Sequence, residues 1–115
     1  MKYLCLIYQD ESQMAKAPKA EMDKMVAEYA AFTESITQSR QHVGSSRLQP
    51  TSAASTVRVR NGKVSTTDGP FAETKEQLVG YYLIEAKDLN DAIQVGAKIP
   101  SARVGAVEVR PIWER

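Results

Sequence analysis

The chain has 115 residues, of which 43% are hydrophobic and 25% charged, which is the size and composition of one globular domain. Fifteen basic and fourteen acidic residues give a net charge of +1, a balance that argues against a nucleic-acid-binding protein. The only cysteine, Cys5, cannot form an internal disulfide, and its apolar neighbours predict a buried, unreactive thiol. The longest apolar run is far shorter than the roughly 20 residues that cross a bilayer, so no membrane association is expected.

The first eight residues are apolar, but they do not have the pattern of a signal peptide. The apolar run is too short, and Gln9, Asp10 and Glu11 follow it without a small-residue cleavage site. We therefore expect a cytoplasmic protein.

Residues 2–8 predict a β-strand that is apolar on both faces. A strand buried on one face only would alternate apolar with polar residues, so this strand should be covered twice, by helices on one side and by a second body on the other. The pattern therefore predicts a homodimer. One face carries Tyr3, Cys5 and Ile7, and the other carries Leu4, Leu6 and Tyr8.

A long amphipathic helix is predicted next, beginning at Pro18, which suits a first helical turn, and ending near Arg40. Its apolar residues recur at intervals of three and four, so one stripe should face a core. The stripe consists of Met22, Met25, Val26, Tyr29, Phe32 and Ile36.

Residues 45–68 predict short strands and turns. Val57 and Val59 alternate with Arg58 and Arg60. The pair Asn61-Gly62 that follows is a strong signal for a β-hairpin, with residues 63–67 as the returning strand.

The last third of the chain predicts a strand at 79–86, a helix capped by Asp88 with Asp91 as its capping partner, and a strand at 104–112. Pro100 should end the helix. The whole order is that of an α+β, ferredoxin-like βαββαβ domain with an inserted β-hairpin, in which both helices pack on one face of a four-stranded antiparallel sheet. Residues 1–115 form one domain. The apolar stripe of the second helix is predicted at Leu89, Ala92, Ile93, Gly96 and Ile99.

Residues 68–85 read DGPFAETKEQLVGYYLIE, beginning with the tetrapeptide Asp68-Gly69-Pro70-Phe71. This segment resembles the signature of the DGPF branch of the YCII-related family. The opening residues 1–8, the stretch 47–50, the strand 56–60 and the closing residues 105–111 resemble the same family, so the likeness covers nearly the whole chain.

The resemblance implies a dimeric α/β-barrel fold in which two sheets face each other across the subunit interface. It also implies two different functions, since some members are thought to be enzymes with a His–Asp pair and the DGPF branch has been linked to sigma-factor regulation. The sequence departs from the family at Val79, where glycine is usual, and at Arg40-Gln41-His42, where an Ala-Gly pair is usual. His42 is therefore not evidence for the His–Asp pair.

Asp68 and His42 are the candidate catalytic residues. Asp68 has two interpretations: a turn residue, in which Gly69 supplies an unusual φ and Phe71 anchors the loop, or an acid or base in a pocket. Lys75 lies close enough in the sequence to pair with Asp68 if the loop folds back. His42 follows a helix end, where a cationic residue favours the helix dipole.

Candidate ligand-binding residues lie on the polar faces of predicted strands. In a dimer with facing sheets they would line an enclosed cavity and hold a small polar or anionic ligand; otherwise they form a solvated surface. Lys75 belongs to the set through its loop, and Tyr82 because one of the two adjacent tyrosines should reach the cavity. The set is Arg58, Arg60, Lys75, Tyr82, Glu108 and Arg110.

No motif for a phosphate loop, a metal site or a Ser/His/Asp triad is present, and we expect no cofactor. Two functions remain open: a binder of, or enzyme for, a small polar metabolite near the Asp68 turn, and a non-catalytic regulatory module.

Overall fold

A computed structural model describes residues 1–114, with three α-helices and one four-stranded antiparallel sheet. The order of elements matches the predicted ferredoxin-like α+β plan with its inserted hairpin. The strands are β1 (Lys2–Gln9), β2 (His42–Arg47), β3 (Ser55–Arg60), β4 (Lys63–Asp68), β5 (Gln77–Glu85) and β6 (Ala106–Pro111), and the helices are α1 (Glu11–Lys16), α2 (Lys19–Gln38) and α3 (Leu89–Ala97), with 3-10 turns at Thr51–Ala53 and Pro100–Arg103.

The strand order in the main sheet is β2-β5-β1-β6, and every neighbouring pair is antiparallel. β1 and β5 are the central strands, so both of their edges are hydrogen-bonded. The register pairs Cys5 with Tyr82 on one side and with Val109 on the other. This register places the predicted inner face of β1 under the helices.

The core lies between the sheet and the helices. Tyr3, Cys5 and Ile7 are almost fully buried there, as the alternation in β1 predicted. Gly96 brings α3 close to β6, because a Cβ at this position would lie 3.1 Å from Val109 Cγ2. The other buried core residues are Phe32, Ile36, Tyr82, Ile84, Ala86, Ala92, Val95 and Ile99.

α3 begins as predicted. The Asp88 carboxylate accepts a hydrogen bond from Asp91 N at 2.8 Å, and the helix ends before Pro100. The predicted apolar stripe is correct at Ala92, Gly96 and Ile99 but wrong at Leu89 and Ile93, which are exposed while Val95 is buried. Compared with the orientation that the predicted stripe implies, the helix is rotated slightly about its axis, because Val95 and Gly96 together make the close approach to β6.

α2 departs from prediction in its first half. Phe32 and Ile36 are its only buried residues, whereas Met22 and Val26 are exposed. The N-terminal half of the helix stands off the sheet, so its apolar stripe borders a cavity instead of the core.

α1 was not predicted from the sequence. It has six residues and no apolar stripe of helical length, and it begins where Asp10 accepts hydrogen bonds from Ser12 N and Gln13 N. The helix joins β1 to α2 and covers one end of the same cavity.

The hairpin forms as predicted, but as a separate two-stranded sheet. Asn61 and Gly62 both have positive φ, 52° and 75°, which is the backbone of a type I′ turn. Its register puts Val57, Val59 and Val64 on one face, and all three side chains are exposed.

The second face of the main sheet has no helix over it among residues 1–114. We call it the open face; it carries Leu4, Leu6, Tyr8, Tyr81 and Leu83, all partly exposed. The molecule is correspondingly flat, 47 × 45 × 18 Å, with a radius of gyration of 16.0 Å, against roughly 13 Å for a compact domain of this length. No α-helix within the described residues is long and apolar enough to cross a bilayer.

Candidate functional site

A cavity with a volume of about 1030 Å³ lies between the N-terminal half of α2, α1 and the helix-covered face of the sheet. We call it the α2 cleft. Its walls are mainly apolar and rich in methionine, a flexible residue that adapts to ligands of different shapes. The apolar lining includes Ile7, Met14, Met22, Met25, Val26 and Val79.

One wall of the cleft carries a chain of hydrogen-bonded polar side chains. Ser101 Oγ donates to Gln9 Oε1 at 2.7 Å and lies 2.5 Å from Tyr29 Oη. Because the serine hydroxyl has a single proton, Tyr29 must donate to Ser101 Oγ. The tyrosine oxygen then keeps an acceptor lone pair for a donor group on a ligand.

Apart from the tyrosines, Ser101 is the one polar side chain among the described residues that is buried to the level of the core. It is held on the 3-10 turn Pro100–Arg103, directly after α3. Burial raises the pKa of Tyr29, so its hydroxyl stays protonated at neutral pH and can continue to donate.

A second hydroxyl in the cleft wall belongs to Tyr82, one of the predicted ligand-binding residues. Its Oη lies 2.6 Å from Thr33 Oγ1. Its ring is stacked parallel to Tyr29 at a centroid distance of 6.4 Å and meets Phe32 edge-on at 5.1 Å. Tyr82 thus contributes to the helix-side cleft, and its neighbour Tyr81 lies on the open face.

Charged residues stand at the rim of the cleft. They are Asp10, Lys16, Glu21 and Arg47. Asp10 is already occupied as the cap of α1, and its hydrogen bonds from Ser12 hold the pKa of this carboxyl below its usual range. The chemistry that the cleft presents is an apolar interior with hydroxyl groups on one wall and charges only at the mouth.

His42 lies at the start of β2, not in the cap of α2. Its Nε2 is 2.9 Å from Ser45 Oγ, and its ring meets Tyr82 edge-on at 6.0 Å. The predicted role of His42 at the helix end is therefore wrong: the last carbonyls of α2 accept instead from Arg40 N and Gln41 N.

The Asp68 turn is built by its backbone. Gly69 has φ 99°, its N donates to Ala54 O at 2.7 Å and its O accepts from Thr56 Oγ1 at 2.8 Å. The turn interpretation is correct for Gly69. It is wrong for Phe71, whose side chain is 80% exposed and anchors nothing.

Asp68 and Lys75 are both exposed, and within residues 1–114 no ion pair joins them. Asp68 ends β4 opposite Ser55, on the valine face of the hairpin. It is separate from the α2 cleft, so a catalytic role for Asp68 stays a prediction without a described partner.

The four charged strand residues do not share one surface. Arg58 and Arg60 extend from the hairpin, which is a separate sheet. Glu108 and Arg110 lie on the open face opposite Leu6 and Leu4, where they form an ion pair. Within one chain the four residues lie on two separate sheets, because the hairpin does not join the main ladder. A cavity that they line in a dimer stays a prediction.

Gln9, Tyr29 and Ser101 were not identified as site residues from the sequence. Tyr29 was assigned to the apolar stripe of α2, and Gln9 and Ser101 lie 92 positions apart in the chain. A serine directly after a helix-ending proline is the only local signal, and it does not indicate which partner the hydroxyl meets.

Comparison with known proteins agrees with the motif-based expectation. A family model for the YCII-related domain matches residues 1–115. An uncharacterised protein of Rhizobium meliloti (strain 1021) is 37% identical over 114 residues, which cover 97% of this chain and 92% of the relative. The assignment to the DGPF branch rests on the tetrapeptide and stays a prediction. The chain belongs to the YCII-related family.

Proposed function

We propose that the protein binds a small amphipathic molecule in the α2 cleft. The observation that carries this proposal is a mostly apolar cavity of about 1030 Å³ whose wall holds the hydrogen-bonded chain Gln9–Ser101–Tyr29. A few polar groups placed in an apolar cleft are the usual composition of a small-molecule site.

The polarity of the cleft favours a particular ligand class. Its interior matches an alkyl or aromatic body, and the lone pair on Tyr29 Oη matches a hydroxyl or amine at one end. This is a more apolar ligand than the small polar or anionic metabolite predicted near the Asp68 turn. Both predicted features of a polar-metabolite site, Asp68 and the Arg58/Arg60 pair, lie outside the cleft.

The fluorescent amphiphile 8-anilinonaphthalene-1-sulfonate is a suitable probe. We expect saturable binding at one site, weakened about tenfold or more by Val26→Trp, which fills part of the cleft. Val43→Trp is the matched control: Val43 is also an exposed valine, but it is not part of the cleft lining. Equal binding by the Val26→Trp and Val43→Trp proteins would place the probe elsewhere and reject the proposal.

The polar wall is tested with a neutral long-chain alcohol as the ligand. Tyr29→Phe removes the acceptor oxygen and should weaken binding of the alcohol while leaving that of the sulfonate probe almost unchanged. If both ligands are affected equally, the hydroxyl supports the shape of the cleft and does not contact the ligand.

We also propose that the protein is a homodimer joined through the open face. The support is the row of partly exposed apolar side chains on β1 and β5, together with the flat shape of the monomer. Static light scattering should give twice the chain mass of 12.7 kDa at micromolar concentration. A mass of one chain would reject the dimer. The regulatory role linked to sigma factors stays an implication of the family resemblance.

A further inference from the structure

The β3–β4 hairpin is an arm with two chemically different faces and little support from the rest of its own chain. Val57, Val59 and Val64 share one face and are 60%, 56% and 70% exposed. The opposite face carries Arg58, Arg60 and Lys63. A two-stranded hairpin is marginal alone in water, and three neighbouring exposed valines indicate a surface that a further body covers.

A second unpartnered apolar group follows β6. Trp113 is 97% exposed, yet the residues on both sides of it are fixed. Ile112 N donates to Lys2 O at 3.0 Å, and Glu114 Oε1 accepts from Lys2 N at 2.6 Å. An exposed indole on a hydrogen-bonded segment is the type of side chain that anchors protein interfaces.

The two groups lie at diagonally opposite corners of the sheet. The arm leaves after β2, an edge strand, at the end of the sheet where β1 finishes. Trp113 follows β6, the other edge strand, at the end where β1 begins. No intramolecular contact can join corners that lie across the whole sheet.

We propose that the arm of one chain packs its valine face on Trp113 of a second copy. This inference rests on the proposed dimer through the open face. A two-fold axis that runs along the other diagonal of that face exchanges the two corners. The arm of each chain then contacts Trp113 of the other, which gives two equivalent contacts in one closed dimer. The same axis crosses the strands of the two sheets at about 90°, one of the two favoured ways in which sheets pack.

The area of the open face supports a contribution from the arm. The four strands have 8, 6, 9 and 6 residues, and at about 3.4 Å per residue and about 4.8 Å between strands they present roughly 500 Å² in plan. A standard interface buries roughly 800 Å² on each partner. The arm and the tryptophan supply surface at the two corners where the sheet itself ends.

The alternative axis, along the diagonal that joins the two corners, would place arm against arm and tryptophan against tryptophan. That arrangement pairs each apolar group with its own copy, whereas the axis proposed here pairs the valine face with the indole.

Crosslinking between two singly substituted proteins tests the contact. Thr66→Cys, opposite Val57 on the valine face of the arm, and Ile112→Cys beside Trp113 leave the valines and the indole unchanged. We expect a short bismaleimide to link the two proteins when they are mixed and to link neither alone. The wild type serves as the blank because its Cys5 is buried. Linking of the Thr66→Cys protein to itself alone would establish the arm-to-arm arrangement and overturn the proposal.

The strength of the dimer gives an independent test. The triple variant Val57→Thr, Val59→Thr and Val64→Thr keeps β-branched side chains and removes apolar surface. It should weaken dimerisation at least about tenfold, as should Trp113→Ala, while Val104→Thr, an equally exposed valine on another surface, should not. A wild-type monomer would reject the dimer itself. If the wild type is a dimer and the triple variant dimerises equally strongly, the contact between the arm and Trp113 is rejected while the dimer itself stands.

Discussion

Arg40 has a left-handed backbone conformation that is typical of glycine. Its φ is 63°, and it follows the C-terminus of α2, where Arg40 N donates to Thr37 O at 3.1 Å and Gln41 N donates to Ile36 O at 2.8 Å. These two bonds form a Schellman motif, whose left-handed residue is most often glycine because a Cβ is unfavourable there. The helix ends with the correct hydrogen bonds but with an unfavourable residue.

Arg40→Gly should therefore stabilise the protein, by about 0.5–1 kcal/mol after the added freedom of the unfolded chain is counted. Urea unfolding monitored by circular dichroism measures the change. Ser39→Gly is the matched control: its φ is −80°, so glycine relieves nothing and the variant should be less stable. Stabilisation by both substitutions, or by neither, would contradict the explanation.

Cys5 lies at the centre of the core, and burial raises the pKa of its thiol to about 11 from 9.0. The folded state thus favours the protonated thiol, and the stabilisation is complete below pH 9 and is lost as the pH rises towards 11. The free energy of unfolding of the wild type should fall more steeply between pH 9 and 11 than that of Cys5→Ala. Parallel curves for the two proteins would show that the thiol does not contribute.

At the scale of elements, α1 is too short to be stable by itself. It has no buried residue, but Glu11 fixes it to two other segments. The Glu11 carboxylate accepts from Thr51 Oγ1 at 2.6 Å and from Thr51 N at 2.9 Å, and Glu11 N donates to Gln77 Oε1 at 2.9 Å. These bonds hold α1 over one end of the α2 cleft.

Glu11→Ala should release α1 and increase hydrogen exchange of the amides in α1 and in Thr51–Ala53, with little change in β1 and β5. Glu21→Ala, which removes another first-turn acid at the cleft, is the control and should leave the exchange of α1 unchanged. Exchange that is unaffected by Glu11→Ala would mean that the Asp10 cap alone holds the helix.

The elements that the sequence predicted correctly are those with local signals. Alternation in β1, the Asn61-Gly62 turn and the Asp88 cap each depend on residues close in the chain, and all three are present. The position of α2 relative to the sheet depends on the whole packing arrangement, and so the cleft was not predictable. The Gln9–Ser101 contact joins two ends of the chain and has no local signal.

At the scale of the whole molecule, the chain has the dimensions of half a sandwich. Its thickness of 18 Å holds one sheet and one layer of helices, and Leu4 and Leu6 on the central strand are only partly buried. If a second copy covers the open face, part of the stability of each chain belongs to the dimer. Binding that occurs only in the folded state makes stability depend on protein concentration.

The thermal midpoint of the wild type should therefore rise as the protein concentration is increased from about 1 to 100 μM. Leu6→Lys places a charge in the middle of the open face, where it would be buried without a partner in the dimer. It should give a folded monomer with a lower midpoint that no longer depends on concentration. Val43→Lys, at an exposed site on the edge strand β2, should retain the dependence. A wild-type midpoint that is constant over this range would mean that the open face is stable in water without a partner.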